Sequence, residues 1–282
     1  MSTPASQDPG STRLLLVNDQ PSYGKVALAA MVPILSYLGY AVSTLPTALV
    51  SNTLDYGTFE LLDTTSYLRG TLRAWERLGV AFDGMSTGFI ASADEVDLLA
   101  PLCDRMREED RLVLVDPIMG DDYHLYNGMD ERTVGLMRRL VSLSSVTVPN
   151  YTEACYLTGT RPHGGSLAQA EASALVAAMR EIAGGSVVIT SCCVEGQNAV
   201  VGYDLHLEEE FTFPFDLVPV RFPGTGDIFS SVLMARLFQG LSLEASTESA
   251  MRVTRSMVVA SRHASDPYRG LPIEALLELV DE

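Results

Sequence analysis

The chain has 282 residues, 47% of them hydrophobic, enough to bury a sizeable core in one large α/β domain or two small ones. Acidic residues outnumber basic ones 36 to 19, a net charge of −17, so neither nucleic acid nor an anionic membrane is expected as the main partner, since both need a basic face. Lys25 is the single lysine and no Gly-x-x-x-x-Gly-Lys-Ser/Thr occurs, which excludes a P-loop and leaves any bound phosphate to arginine, backbone donors and a metal ion.

Residues 1–12 are polar, lack the basic and apolar regions of a signal peptide, and read as a disordered tail ahead of a single domain over 13–282. An apolar run at 13–17 predicts a central parallel strand. It ends in the polar turn Asn18-Asp19-Gln20-Pro21-Ser22-Tyr23-Gly24, with a helix following to about 38. The apolar stretch 26–42 is too short and interrupted to span a bilayer. A second strand is expected near 40–45, then 47–50, then the polar group Ser51, Asn52, Thr53 and Asp55 with Tyr56-Gly57, and a helix ending at 78.

Strand and helix then alternate: strand 84–89, helix 94–108, strand 112–115, helix 131–141, strand 146–148, helices 151–158 and 167–182, strand 187–190. Strands at 199–203 and 210–215 read as a hairpin, and helices at 225–239, 243–263 and 273–280 close the chain. This order implies a three-layer αβα fold, a mostly parallel central sheet with helices on both faces. Cys103, Cys155, Cys192 and Cys193 show neither metal spacing nor a disulfide framework, which fits a reducing cytoplasm.

In such sheets ligands bind beyond the C-terminal ends of the strands, so polar residues there come next. Gly224-Thr225-Gly226-Asp227 opens a helix with free backbone N–H groups, an attractive end for an anion, beside a carboxylate able to take a proton. The same residues also read as a helix start with Asp227 stabilising the first turn. Asp116 follows the strand at 112–115 and, with Asp121 and Asp122, puts three carboxylates in one segment, where a cation would be welcome. Asn150 and Glu153 have the spacing of a capping box, a role compatible with facing a ligand. The segments 18–24 and 51–56 suit a small, flat, polar ligand, and Thr190-Ser191 could contact a nucleotide.

Together these residues resemble the ribokinase-like superfamily, and within it the vitamin B6 kinases, over about 14–263. Gly224-Thr225-Gly226-Asp227 is similar to the family's anion hole and catalytic aspartate, Asp116-Pro117-Ile118-Met119-Gly120 to its Asp-Pro-Val-Met-Gly segment, and Asn150-x-x-Glu153 to its metal motif. Leu45-Pro46-Thr47, Ser51-Asn52-Thr53 and Tyr56-Gly57 resemble its vitamin-binding segment. The resemblance implies an ATP-dependent kinase acting on the 5′-hydroxymethyl group of a B6 vitamer, without a separate lid domain and working as a homodimer. It implies Asp227 as base and Mg²⁺ held by Asp116 and Glu153 through water. It also implies Asp19, Thr53, Asp55, Tyr56 and Phe89 on the vitamin, and Tyr126, Asn150, Thr190 and Ser191 with Asp116 and Glu153 on the nucleotide and its metal. The need for a monovalent cation stays open.

Three positions depart from the pattern. Asp19 stands where many pyridoxal kinases have serine, and looks more like the pyridoxamine-kinase branch. Phe89 replaces a ring-contacting tyrosine, and no lysine stands near Thr190. Two rivals remain: a hydroxymethylpyrimidine kinase, whose Gly-rich opening residues 18–25 do not resemble, and a non-catalytic binding protein, which an intact Gly-Thr-Gly-Asp disfavours.

Overall fold

The first apolar run becomes β1 (Arg13–Pro21), whose Leu14, Leu15, Leu16 and Val17 are fully buried, as a strand covered on both faces requires. The computed structural model describes residues 11–281. After β1 come α1 (Ala27–Tyr37), β2 (Ala41–Val50), β3 (Leu61–Asp63), α2 (Thr65–Leu78), β4 (Gly84–Thr87), α3 (Ala93–Glu108) and β5 (Leu112–Val115). A small hairpin of β6 (Gly120–Asp121) and β7 (His124–Leu125) precedes α4 (Glu131–Val141), β8 (Val146–Thr147), α5 (Tyr151–Thr158) and α6 (Gln169–Arg180). The chain finishes with β9 (Ser186–Val194), β10 (Gln197–Asp204), β11 (Glu209–Phe215), α7 (Thr225–Phe238), α8 (Leu243–Ser261) and short 3-10 turns.

Two compact units arise, one from Met1–Glu95 and Val218–Glu282, the other from Val96–Leu217. In the first, the strand order is β4-β1-β2-β3, with β1 parallel to both neighbours and β3 an antiparallel edge. Helix α1 lies on β1 and β2, and α7 packs between α1 and α8. In the second, β5, β8 and β9 are parallel, and β10 and β11 extend them antiparallel, with α5 and α6 against β9. This is the α/β class, mostly parallel and helix-covered, that the alternation implied.

Helix α7 is buried nearly all round. Ile228, Val232 and Leu233 are fully buried, each worth about 1.5–3 kcal/mol. That offsets the roughly 1 kcal/mol cost of Gly226 in its first turn. The helix can therefore begin with residues chosen for something other than helix propensity.

Several expectations changed. The helix expected over 273–280 is a pair of 3-10 turns, Ile273–Ala275 and Leu277–Asp281, with Leu276 between them at φ −120° and ψ 6°, outside the helical region. So short a segment cannot sustain itself as an α-helix, and Ile273 and Val280 pin it at both ends by burial. Strand β3 and the β6–β7 hairpin carry too few residues to show periodicity. The hairpin turns through Asp122 (φ 49°) and Tyr123 (φ 70°), a geometry usually given to Asn-Gly. The tail expected over 1–12 lies outside the described residues as far as 10; Thr12 is buried and its carbonyl accepts from Ala41.

Candidate active site

The first unit builds its site around the start of α7. Gly224 is the residue before the helix, at φ 87°, and a Cβ there would lie 2.6 Å from the Lys25 carbonyl oxygen, so only glycine fits. The first N–H groups of the helix have no intrahelical acceptors. Asp227 is the third helical residue and 8% exposed, yet it caps nothing. Its Oδ2 accepts the Ala27 N–H at 2.7 Å and its Oδ1 accepts the Asn18 side-chain amide at 3.1 Å. Ala27 reaches it from a left-handed backbone (φ 48°), an unusual conformation for a residue with a Cβ. Burial pushes the Asp227 carboxyl up to about 6, against the lowering effect of these two donors.

Asp19 sits near the end of β1, where two residues of β2, Thr47 and Ala48, stand opposite it and the register slips. Such irregularities re-aim side chains. Burial first, then the charge of Asp227, pushes the Asp19 carboxyl up to about 7. The two carboxylates expected to serve base and vitamin are thus within electrostatic reach. Phe89 comes to the same place: its N–H donates to Asn18 Oδ1 at 2.8 Å and its carbonyl accepts from Thr47.

Thr53 and Tyr56 are in the neighbourhood, but their hydroxyls are engaged. Thr53 Oγ1 donates to the Tyr268 carbonyl at 2.6 Å, and the Tyr56 hydroxyl donates to Asp266 at 2.5 Å. The Tyr56 ring stands edge-on to Tyr268, with centroids 5.8 Å apart, and 5.9 Å from Tyr23. Asp55 is exposed in the 3-10 turn Leu54–Tyr56. The sequence reading missed the segment 266–270, which clasps these loops. Lys25 N–H donates to the Arg269 carbonyl, and a Cβ on Gly270 (φ 81°) would lie 2.6 Å from the Lys25 carbonyl oxygen. Paired positive-φ glycines around Lys25 were the available signal, but they are far apart in sequence.

In the second unit, Asn150 and Glu153 form the expected capping box on α5. Asn150 Oδ1 accepts the Glu153 N–H at 3.0 Å, and Glu153 Oε2 accepts the Asn150 N–H at 2.9 Å. Glu153 does more: its Oε1 accepts the N–H groups of Met119 (3.0 Å) and Gly120 (3.4 Å), while Asn150 Nδ2 donates to the Gly120 carbonyl. The capping pair thereby locks the loop that carries Asp116. Burial, then the charge of Asp116, pushes the Glu153 carboxyl well above its ordinary value. Tyr126 is tied back to this loop by its N–H on the Met119 carbonyl. Thr190 bridges to Asn150 beside the same helix start, and the next residue, Ser191, is exposed at φ 59°.

The carboxylates of 116, 121 and 122 do not gather into a set: Asp122 is exposed at the hairpin turn, and among the described residues no group of three His, Cys, Asp or Glu side chains is arranged around a metal. Asp116 and Glu153 nonetheless fit Mg²⁺ held through water. Two carboxylates buried within reach of each other favour a cation beside them, and both Glu153 oxygens already accept N–H groups, which leaves direct ligation unattractive.

The model of the phosphomethylpyrimidine kinase family matches residues 34–268. A pyridoxine/pyridoxal/pyridoxamine kinase of Bordetella avium is 33% identical over 274 residues, covering 91% of this chain and 88% of its own. Among solved structures, a Bacteroides thetaiotaomicron protein in an orthorhombic form with pyridoxal is 29% identical, with a TM-score of 0.90 and 96% of each chain covered. A pyridoxal kinase from Lactobacillus plantarum is 26% identical, with a TM-score of 0.85 over 96% of each chain. The chain belongs to the phosphomethylpyrimidine kinase family and, within it, groups with the pyridoxal kinases.

Proposed function

We propose that the protein transfers the γ-phosphoryl group of ATP to the 5′-hydroxymethyl oxygen of a vitamin B6 vitamer. The observation that carries this reading is the carboxylate of Asp227, held by Ala27 and Asn18 rather than spent on its own helix. With a carboxyl group titrating at about 6, Asp227 is ionised at neutral pH and ready to accept a proton. As the substrate oxygen bonds to the γ-phosphorus, its proton passes to Asp227 and the bond to the β-phosphate oxygen breaks, releasing ADP. The N–H groups at Gly224, Thr225 and Gly226 would hold the transferring group's oxygens, donors positioned before charge develops. Bound with the nucleotide and held through water by Asp116 and Glu153, Mg²⁺ would offset β- and γ-phosphate charge.

On the vitamin side, Asp19 supplies the charged contact to a polar ring substituent, Phe89 the apolar face, and Thr53, Asp55 and Tyr56 the rim. Tyr126, Asn150, Thr190 and Ser191 serve the nucleotide. With no lysine near Thr190, nucleotide binding depends more heavily on the metal. A homodimer is supported by apolar exposure at the β3 edge, where Leu61 and Leu62 are 43% and 62% exposed beside Leu49 and Phe59. A reducing, cytoplasmic setting fits four free cysteines, and no described helix is long and apolar enough to cross a membrane.

The test is ADP release with pyridoxal, pyridoxamine, pyridoxine and hydroxymethylpyrimidine in turn. Turnover is expected with the B6 vitamers and to depend on Mg²⁺. ATP consumption unaffected by any vitamer would sink the proposal.

A further inference from the structure

We infer that Asn18 is a positioning residue of this reaction: its side-chain amide orients Asp227, keeps it in the proton-accepting state, and ties it to the backbone of Asp19 and Phe89. The inference rests on Asp227 being the general base.

The amide has one possible orientation. Its Oδ1 accepts two backbone N–H groups, from Asp19 at 2.9 Å and from Phe89 at 2.8 Å. Turning it over would set an NH₂ group against two donors and a carbonyl oxygen against a carboxylate. Toward Asp227 it therefore presents only a donor, at 3.1 Å, with Met31 Sδ a further 3.7 Å neighbour of the same nitrogen. Asn18 is 2% exposed, so water cannot stand in for it. The backbone is shaped around this group: a Cβ on Gly88 would come within 2.4 Å of Asn18 Nδ2.

One side chain thus sets three things at once. It fills one lone pair of Asp227 Oδ1, as Ala27 fills one on Oδ2, and leaves the remaining lone pairs for the substrate hydroxyl. It also holds the vitamin-side carboxylate and the ring contact in register with the base. The charged group within reach of Asp227 is Asp19. Helix α1 carries no titratable side chain before Tyr37, and Lys25 is taken up by Glu274. On α7, Arg236 is held by Ser249, Gln239 and the Val280 carbonyl, and on α8 Arg252 donates to Ser249.

The experiment is the single-turnover rate of pyridoxal phosphorylation against pH for wild type, Asn18→Ala and Asn18→Asp at saturating Mg²⁺-ATP. Removing a donor to a carboxylate should move the acid limb up by about one pH unit in Asn18→Ala, making the rate about fivefold lower at pH 6, approaching about tenfold lower at more acid pH, and much closer to wild type at pH 9. Asn18→Asp, nearly the same shape but carrying a charge that faces Asp227, should move it further. A rate lowered equally at every pH, or an acid limb that stays in place, would reduce Asn18 to a structural residue. Asp227→Asn run alongside separates the two claims: if it is inactive and the Asn18 profiles do not move, only the Asn18 inference falls. If it is active, the base assignment falls first.

Discussion

Helices α5 and α7 each begin with a buried acidic residue at the third helical position, Glu153 and Asp227, and use it in opposite ways. Glu153 turns back on its own helix start, closes a capping box with Asn150, and spends its other oxygen on the Met119–Gly120 backbone. Asp227 makes no cap bond, and the groups that hold it come from 200 and 209 residues away. One carboxylate is spent on its own helix start and on the backbone of the loop beside it. The other is suspended from distant parts of the chain with lone pairs to spare, the arrangement a general base needs. Equal position and burial therefore do not mean equal function; the partners decide.

The sharpest way to break the comparison is Asp227→Asn. General base catalysis is typically worth about 10²–10⁴ in rate, so kcat should fall within that range while KM moves little. Stability should behave differently. The folded carboxyl is raised from 3.8 to about 6, so the fold binds this proton more tightly than the unfolded chain does. Its stabilising contribution is complete below 3.8 and is lost as pH rises through about 6. At pH 8 asparagine removes a buried charge but turns an NH₂ group toward either the Ala27 N–H or the Asn18 amide, two opposing effects, so the melting temperature should change little. A lower melting temperature with near-normal kcat would make Asp227 a helix-start residue after all.

Glu153→Gln should give the reverse pattern. An amide in place of the carboxylate sets NH₂ against backbone donors, costing about 1–3 kcal/mol of stability. It should also raise the Mg²⁺ concentration needed for half-maximal rate. Because the Glu153 carboxyl is raised in the folded state, its contribution to stability falls as pH rises, and Mg²⁺ with ADP should stabilise wild type more at high pH than at low. A lowered melting temperature with unchanged Mg²⁺ dependence would leave Glu153 as a cap alone.

A smaller effect sharpens the Asp227 side. An ionised Asp19 should favour pyridoxamine over pyridoxal, and that preference should grow as pH rises through about 7, where Asp19 loses its proton. Asp19→Ser should cut the ratio of kcat/KM values about tenfold, the difference between a charge-assisted and a neutral hydrogen bond. An unchanged ratio would place Asp19 outside the vitamin site.

What could be read in the sequence follows from the same contrast. The Asn150–Glu153 box was legible because both halves lie within three residues, and α4, α5 and β5 fell where periodicity put them. The partners of Asp227 were not legible, since nothing at 18 or 27 refers to 227. The clasp from 266 to 270 was missed for that reason too: its contacts with Lys25, Thr53 and Tyr56 are long-range backbone and hydroxyl bonds without a motif. The Asp122–Tyr123 turn carries no glycine, so the usual hairpin signal was missing.

The central claim, a kinase whose substrate is a B6 vitamer, is tested most directly by competition. Equimolar pyridoxal and hydroxymethylpyrimidine would be offered with limiting Mg²⁺-ATP, and both phosphorylated products quantified. The account predicts that pyridoxal 5′-phosphate dominates and that neither product forms with Asp227→Asn on the same timescale. A predominance of phosphorylated pyrimidine would contradict it.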